Sequence, residues 1–291
     1  MRILVTGASG LLGRRLLPAL LAAGHSVVAL SRTPLATAWP PGVTALTWTG
    51  ALPEVGAVDG VVNLAGEPII GRRWNEEQKR RLIASRVDGT RALVAGLGPQ
   101  ASPPILVNAS AVGHYGILTT APCPEETPAA NDFLAQLCAS WEAAARAYTG
   151  RSVQLRFGHL LDASGGYLGK LLPILRAGVG GPIGNGRQPM PWVHIDDAVG
   201  AILWALTTST ASGPYNVVAP ERVNQGQFTR ALGRHLHRPT FLPVPAFALR
   251  LRFGEVAPVL AGGQDAPPYR LLGEGYRFRH PELVAALPTL L

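Results

Sequence analysis

Gly7, Gly10 and Gly13 recur at a spacing of three within TGASGLLG. That spacing suits a phosphate-bearing ligand. The first glycine lets the backbone turn, and the second lets it approach a pyrophosphate. The third lets a helix pack closely on the preceding strand. Ser9, Leu11 and Leu12 complete the loop and the helix entry, and with the glycines they form the expected pyrophosphate contact set. The chemistry implied is dinucleotide binding at a helix N-terminus.

Arg32 is the next informative residue. A site for NAD places an Asp or Glu about 20 residues beyond the glycines, on the ribose 2′-OH. No such residue is present, since the first acid in the chain is Glu54. Ser31 and Arg32 stand there instead, at the end of a second apolar run. A guanidinium can clamp a 2′-phosphate through two donors, and a carboxylate would repel it. Arg14 and Arg15 add positive potential nearby. The cofactor expected is therefore NADP(H).

These residues need a strand before the glycines and a helix after them. Strands are predicted near Ile3–Thr6, Ser26–Leu30, Thr44–Trp48, Gly60–Leu64, Ile105–Ser110 and Ser152–Phe157. Helices are predicted near Leu11–Ala23, Asn75–Leu97 and Asn131–Tyr148, with an amphipathic one at Asn224–His237. Alternation of this kind implies an α/β fold, a Rossmann-type doubly wound parallel sheet. After Phe157 glycine and proline thicken and the alternation loosens. A core over residues 1–160 and a small C-terminal α+β lobe over 161–291, interleaved with it, are expected.

Composition narrows the class. Of 291 residues, 47% are hydrophobic and 15% charged, enough for a sizeable core and against disorder. The net charge is +8, carried almost wholly by arginine; Lys79 and Lys170 are the two lysines. The arginines are scattered, without a run or an aromatic platform, so no nucleic acid partner is expected. Cys123 and Cys138 make neither a disulfide framework nor a metal set. MRILV enters directly into a strand, so no signal peptide is expected, and no apolar run suffices to span a membrane. The expectation is a cytoplasmic protein, monomer or homodimer, acting on a small molecule.

Several blocks resemble the extended short-chain dehydrogenase/reductase superfamily, in its atypical "epimerase family", or nucleoside-diphosphate-sugar epimerase, branch. They are TGASGLLGRRL, NLAGEPI at Asn63–Ile69, RRWNEEQKRRLIASR at Arg72–Arg86 and SAVGHYG at Ser110–Gly116. LCASWEAAAR at Leu137–Arg146, GVGGPIGNGRQPMPWVHIDD at Gly178–Asp197, GPYNVVAPERVNQGQF at Gly213–Phe228, PVPAFALRLRFGE and GYRFRHPEL follow. The resemblance covers almost the whole chain. It implies that Leu64, Ala65 and Gly66 line the cofactor's middle, with Glu67 beside them and Arg86 a further contact. It also implies that Ser110 and Gly158 lie near the nicotinamide.

The same resemblance implies Tyr-x-x-x-Lys chemistry aided by a Ser or Thr, and here the chain departs from it. None of the six tyrosines has a lysine four residues on. The tyrosine and lysine places are Phe133 and Leu137, and the usual hydroxyl place is Ala111. Ser110 and Tyr115 are the remaining catalytic candidates, with His114 and Glu67 behind them. The set His194, Asp196 and Asp197 has one imidazole and two adjacent carboxylates facing different ways, so no metal is expected. Arg187 and Gln188 are candidates for substrate contact. Two functions follow: an NADP(H)-dependent oxidoreductase or epimerase-like enzyme without the usual proton relay, or a non-catalytic NADP(H)-binding redox sensor.

Overall fold

Ile3 to Thr6 are all buried, as befits a strand covered on both faces. In the computed structural model, which describes residues 1–33 and 38–291, they form β1 (Arg2–Thr6) at the centre of a sheet. The other strands are β2 (Ser26–Ser31), β3 (Val43–Thr47), β4 (Gly60–Asn63), β5 (Ile105–Ala111), β6 (Ser152–Phe157) and β9 (Gly213–Val217). Every pairing is parallel, and the order is β3-β2-β1-β4-β5-β6-β9. The order reverses between β1 and β4, the place where open α/β sheets bind ligands at their carboxyl ends.

Helices cover both faces. On one, α1 (Leu11–Ala22) and α6 (Ile195–Thr207) bury Leu16, Leu20, Ala198 and Ile202 against the strands. On the other lie α3 (Gly89–Leu97) and α4 (Phe133–Arg146), with Leu93, Leu97 and Ala145 packed on Leu4, Val61 and Leu106. Helix α2 (Glu76–Ile83) starts at Asn75, whose side chain accepts from the Gln78 N–H, and runs through one wider turn, Ala84–Asp88, into α3.

After β6 the regular alternation of strand and helix ends. A two-stranded parallel ribbon of β7 (His159–Asp162) and β8 (Trp192–His194) follows. Helices α5 (Gly166–Arg176), α7 (Gln225–His235) and α11 (Leu283–Leu290) pack around Leu161, Leu172, Trp192 and Phe228. Strand β9, from the second half of the chain, returns to the edge of the main sheet. Pro214 within it is tolerated because an edge strand has one ladder to satisfy. Short helices α8 (Ala246–Phe253), α9 (Ala257–Ala261) and α10 (Tyr269–Gly273) complete the tail. Arg73 donates to the Leu251 carbonyl, and Lys79 pairs with Glu255 at 2.8 Å, tying the tail to α2. Among the described residues no helix is long and apolar enough to cross a membrane.

Candidate functional site

The glycine loop joins β1 to α1. Gly7 adopts φ +65°, and a Cβ there would stand 2.5 Å from the Leu64 carbonyl carbon and oxygen. The residue must be glycine both for its dihedral and for its approach to the turn after β4. Gly10 caps α1 without a side chain, and no acidic residue stands in the first helical turn. The helix thus presents bare N–H groups and its positive end to the cleft. Gly13 faces inward, where a Cβ would meet the Gly7 and Ala8 carbonyl oxygens at 2.5 Å. Its part is packing.

An open cleft of about 590 Å³ lies along the strand ends. Gly7, Ser9 and Gly10 line it from the loop, and Ser31 and Arg32 from the end of β2. Leu64, Ala65, Gly66 and Glu67 line it from the turn after β4. The sequence reading missed the far wall: Trp48 to Gly50, and Ala84, Ser85, Asp88, Gly89 and Ala92 along α3 and its entry. Their signal was a stripe of small residues on a helix otherwise rich in arginine. Ser85 also accepts from the Glu67 backbone N–H at 3.0 Å, which holds the turn in place.

Buried polar groups lock the strand ends beneath the cleft. Thr6 Oγ1 donates to Asn63 Oδ1 at 2.6 Å, and Asn63 Nδ2 donates to Thr90 Oγ1 and to Asn108 Oδ1. Thr6 Oγ1 also accepts from the Ala65 N–H. Three neighbouring strands are therefore tied together beneath the cleft.

Other predicted contacts fall outside the cleft lining. Leu12 is buried in the core, and Leu11 packs against Gly165 and Gly166 at the start of α5. A Cβ on Gly158 would stand 2.4 Å from the Pro191 carbonyl oxygen, so that glycine lets the β6–β7 crossover pass Pro191. Arg86 lies under Gly66 and over the Trp141 ring, 5.2 Å from its centroid.

Ser110 and Tyr115 belong to one buried network. Ser110 Oγ donates to Glu142 Oε1 at 2.7 Å. Glu142 accepts from Arg156 Nε and Nη2, and Arg156 Nη1 donates to Tyr115 Oη at 2.9 Å. Tyr115 in turn donates to Asn216 Oδ1 at 2.7 Å. Burial pushes the Tyr115 hydroxyl up to about 12, against the opposing pull of Arg156. His114 is buried beside them. Burial first, then the Arg156 charge, hold it below the ordinary histidine value. Phe133 and Leu137 join an apolar cluster with Ile69, Trp74, Leu82 and Val259.

His194, Asp196 and His280 lie close enough for their ligand atoms to fall within 4.8 Å. The His194 and His280 ring centroids lie 3.8 Å apart with 30° between the ring planes. His194 Nδ1 already accepts from the Asp196 N–H, and Nε2 meets Thr289 Oγ1. Asp197 is wholly buried and accepts from the backbone N–H groups of Arg279 and His280.

The model of the NAD dependent epimerase/dehydratase family matches residues 3–218. The chain belongs to that family. A model for a domain of unknown function, DUF1731, matches residues 244–290 of this epimerase-family protein, the segment carrying α8 to α11. The mouse Epimerase family protein SDR39U1 is 40% identical, covering all of both chains. The Epimerase family protein YfhF of Bacillus subtilis is 36% identical, over all of this chain and 98% of that one. The crystal structure of human epimerase family protein SDR39U1 (isoform 2) with NADPH superposes with a TM-score of 0.90 at 37% identity. It covers 100% of this chain and 99% of that one.

Proposed function

We propose that this epimerase-family protein is an NADP(H)-binding oxidoreductase or epimerase-like enzyme that works without a Tyr-x-x-x-Lys relay. The carrying observation is Arg32 in the cleft lining at the end of β2, a strand end with no carboxylate. The cradle suits a dinucleotide on two further grounds. A Cβ on Gly7 would invade the β4 turn, and α1 offers uncapped N–H groups beside it. The human relative solved with NADPH supports the same cofactor. When bound, NADP(H) supplies or accepts a hydride at its nicotinamide ring. In this reading Arg32 and Ser31 hold the 2′-phosphate, the glycine loop holds the pyrophosphate, and the β4 turn lines the middle. The β7–β8 ribbon and its helices form a roof for a small polar substrate. The reading includes a cytoplasmic location and a monomer or homodimer.

A second reading, a non-catalytic NADP(H)-binding redox sensor, is favoured by one observation. The hydroxyls of Ser110 and Tyr115 are both engaged in buried bonds, and Phe133 and Leu137 bring no proton donor. Titration calorimetry with NADPH and NADH tests the cofactor. NADPH binding at least tenfold tighter supports it, and equal binding overturns it. Substrate-dependent loss of NADPH absorbance, against a panel of small carbonyl compounds and sugar nucleotides, separates enzyme from sensor.

A further inference from the structure

Twelve large apolar side chains stand exposed among the described residues, and six of them gather in two neighbouring segments. Ile174 is in the last turn of α5, and Val179 lies just past it. Phe241 and Leu242 follow α7, and Phe247 and Leu251 stand one turn apart on α8. Phe241, Phe247 and Leu251 are 74%, 75% and 77% exposed. The two segments touch. The Val244 N–H donates to the Pro182 carbonyl, and Arg238 Nε donates to the Arg176 carbonyl at 2.9 Å. Gly181 lies so close to Leu242 that a Cβ there would collide with the Leu242 carbonyl. Single exposed apolar residues are ordinary on a protein surface, whereas a gathering of them marks an interaction site.

The charge around these residues has one sign. Residues 163–195 and 222–254 contain no Asp or Glu. The second stretch carries six arginines, and the first adds Lys170, Arg176 and Arg187. Arg176, Arg230, Arg234, Arg238 and Arg250 are exposed. Of the arginines within 222–254, only Arg222 pairs with an acid among the described residues, and that acid, Asp265, lies outside the stretch. The positive charge of this face is therefore left for something else to neutralise.

Water alone suits the arginines but not the phenylalanines beside them. A second copy of the chain is a poor occupant, because an isologous contact brings two like-charged faces together. Anionic lipid answers both needs. Its headgroups neutralise guanidinium charge, and the interfacial layer takes aromatic and aliphatic side chains without a groove shaped to them. We propose that the face carrying Ile174, Val179, Phe241, Leu242, Phe247 and Leu251 docks on an anionic phospholipid membrane surface, at headgroup depth and without crossing the bilayer. Arg73, donating to the Leu251 carbonyl, and the Lys79–Glu255 pair hold α8 against α2 for that contact. The inference does not depend on the cofactor.

The test is co-sedimentation of the full chain with phosphatidylcholine vesicles, made with and without phosphatidylglycerol. Wild-type protein is expected to bind the anionic vesicles about tenfold or more tightly than the neutral ones, and less tightly at high salt. Phe247→Ser with Leu251→Ser should weaken that binding about tenfold or more, as should Arg234→Gln with Arg250→Gln. All four positions are exposed, so melting temperatures should move by no more than about 2 °C. The vesicle comparison on wild-type protein carries the test should a variant not fold. Absent or equal binding to the two vesicle types overturns the proposal. So does binding that the serine variant leaves unchanged, which is adsorption by charge alone. Tighter binding to polyglutamate than to anionic vesicles overturns it in favour of an acidic protein partner. A dimer in sedimentation velocity that the serine variant abolishes overturns it in favour of a second copy.

Discussion

Arg156 grips Glu142 through two parallel donors, Nε to Oε1 at 2.7 Å and Nη2 to Oε2 at 2.8 Å, with side chains 4% and 0% exposed. The pair joins β6 to α4. Through Ser110, Tyr115 and Asn216 it also holds β5 and β9. Removing one partner of such a pair leaves a buried charge uncompensated. Glu142→Gln is expected to cost about 3–5 kcal/mol. The fall in melting temperature should be on the order of 10 °C. Differential scanning calorimetry checks it, and a change under about 2 °C would remove this network from the fold's main supports.

The same pair sets an acid limb of stability. Burial alone would raise the Glu142 carboxyl, but the bonds and charge of Arg156, with Ser110, hold it below its ordinary value of 4.5. A carboxyl depressed in the folded state contributes stability that is present above the unfolded pKa and is lost as pH falls through the folded one. The urea midpoint of wild-type protein should therefore decline as pH drops below about 4.5. Glu142→Gln should lack that part of the decline, so the gap between the two proteins narrows with acid.

Tyr115→Phe separates structure from chemistry. It deprives buried Asn216 Oδ1 of its donor and Arg156 Nη1 of one acceptor, while Arg156 Nη1 keeps the Glu125 carbonyl at 2.8 Å. The expected cost is about 1–3 kcal/mol in chemical denaturation. NADPH affinity should stay within about twofold, since Tyr115 is outside the cleft lining. A loss of turnover without a loss of stability would instead return Tyr115 to proton transfer.

The first half of the fold was legible because its central strands are apolar runs buried on both faces, though the edge strand β3 is not, and its helical stretches are periodic. Thr6 and Asn63 end their strands and Asn108 stands midway along β5, yet only three dimensions reveal that Asn63 bonds to both of the others. The second half hid its elements. Strand β8 is three residues long, and β9 carries Pro214, so neither gives a pattern of two. Along the cleft, the place of Arg32 at the end of β2 was readable from the sequence. The partnership of Ser110 and Tyr115 with Glu142 and Arg156 was not, because residues 32 or more apart meet only after the sheet has formed.

Gly13→Ala tests how closely α1 must seat on the glycine loop. The new methyl would meet two backbone carbonyl oxygens at 2.5 Å, and neither is the end of a flexible side chain. The helix must shift or the loop must open. An expected cost of about 1–3 kcal/mol follows from overpacking alone. On the proposed reading, in which the same loop holds the pyrophosphate, NADPH binding should weaken with it. Gly273→Ala, where no atom lies within 4 Å, should change the melting temperature by no more than about 2 °C, and both variants are read in one thermal scan.

Arg32→Ala should remove the preference for NADPH over NADH. Arg32 is exposed at the cleft end, so its loss leaves the core untouched and the melting temperature of the free protein unchanged. A charge-assisted contact to a 2′-phosphate is worth about 1.5–3 kcal/mol, or roughly tenfold to a hundredfold in affinity. NADH carries no such phosphate and gains nothing from the guanidinium. In wild-type protein, NADPH at 100 times its Kd should stabilise by about 2.7 kcal/mol, and NADH at the same concentration by less. In Arg32→Ala the two should converge, because the NADPH shift falls while the NADH shift stays. If both shifts fell together, Arg32 would be serving the pyrophosphate or the loop rather than the 2′-phosphate, and the choice of NADP(H) would lose its carrying residue.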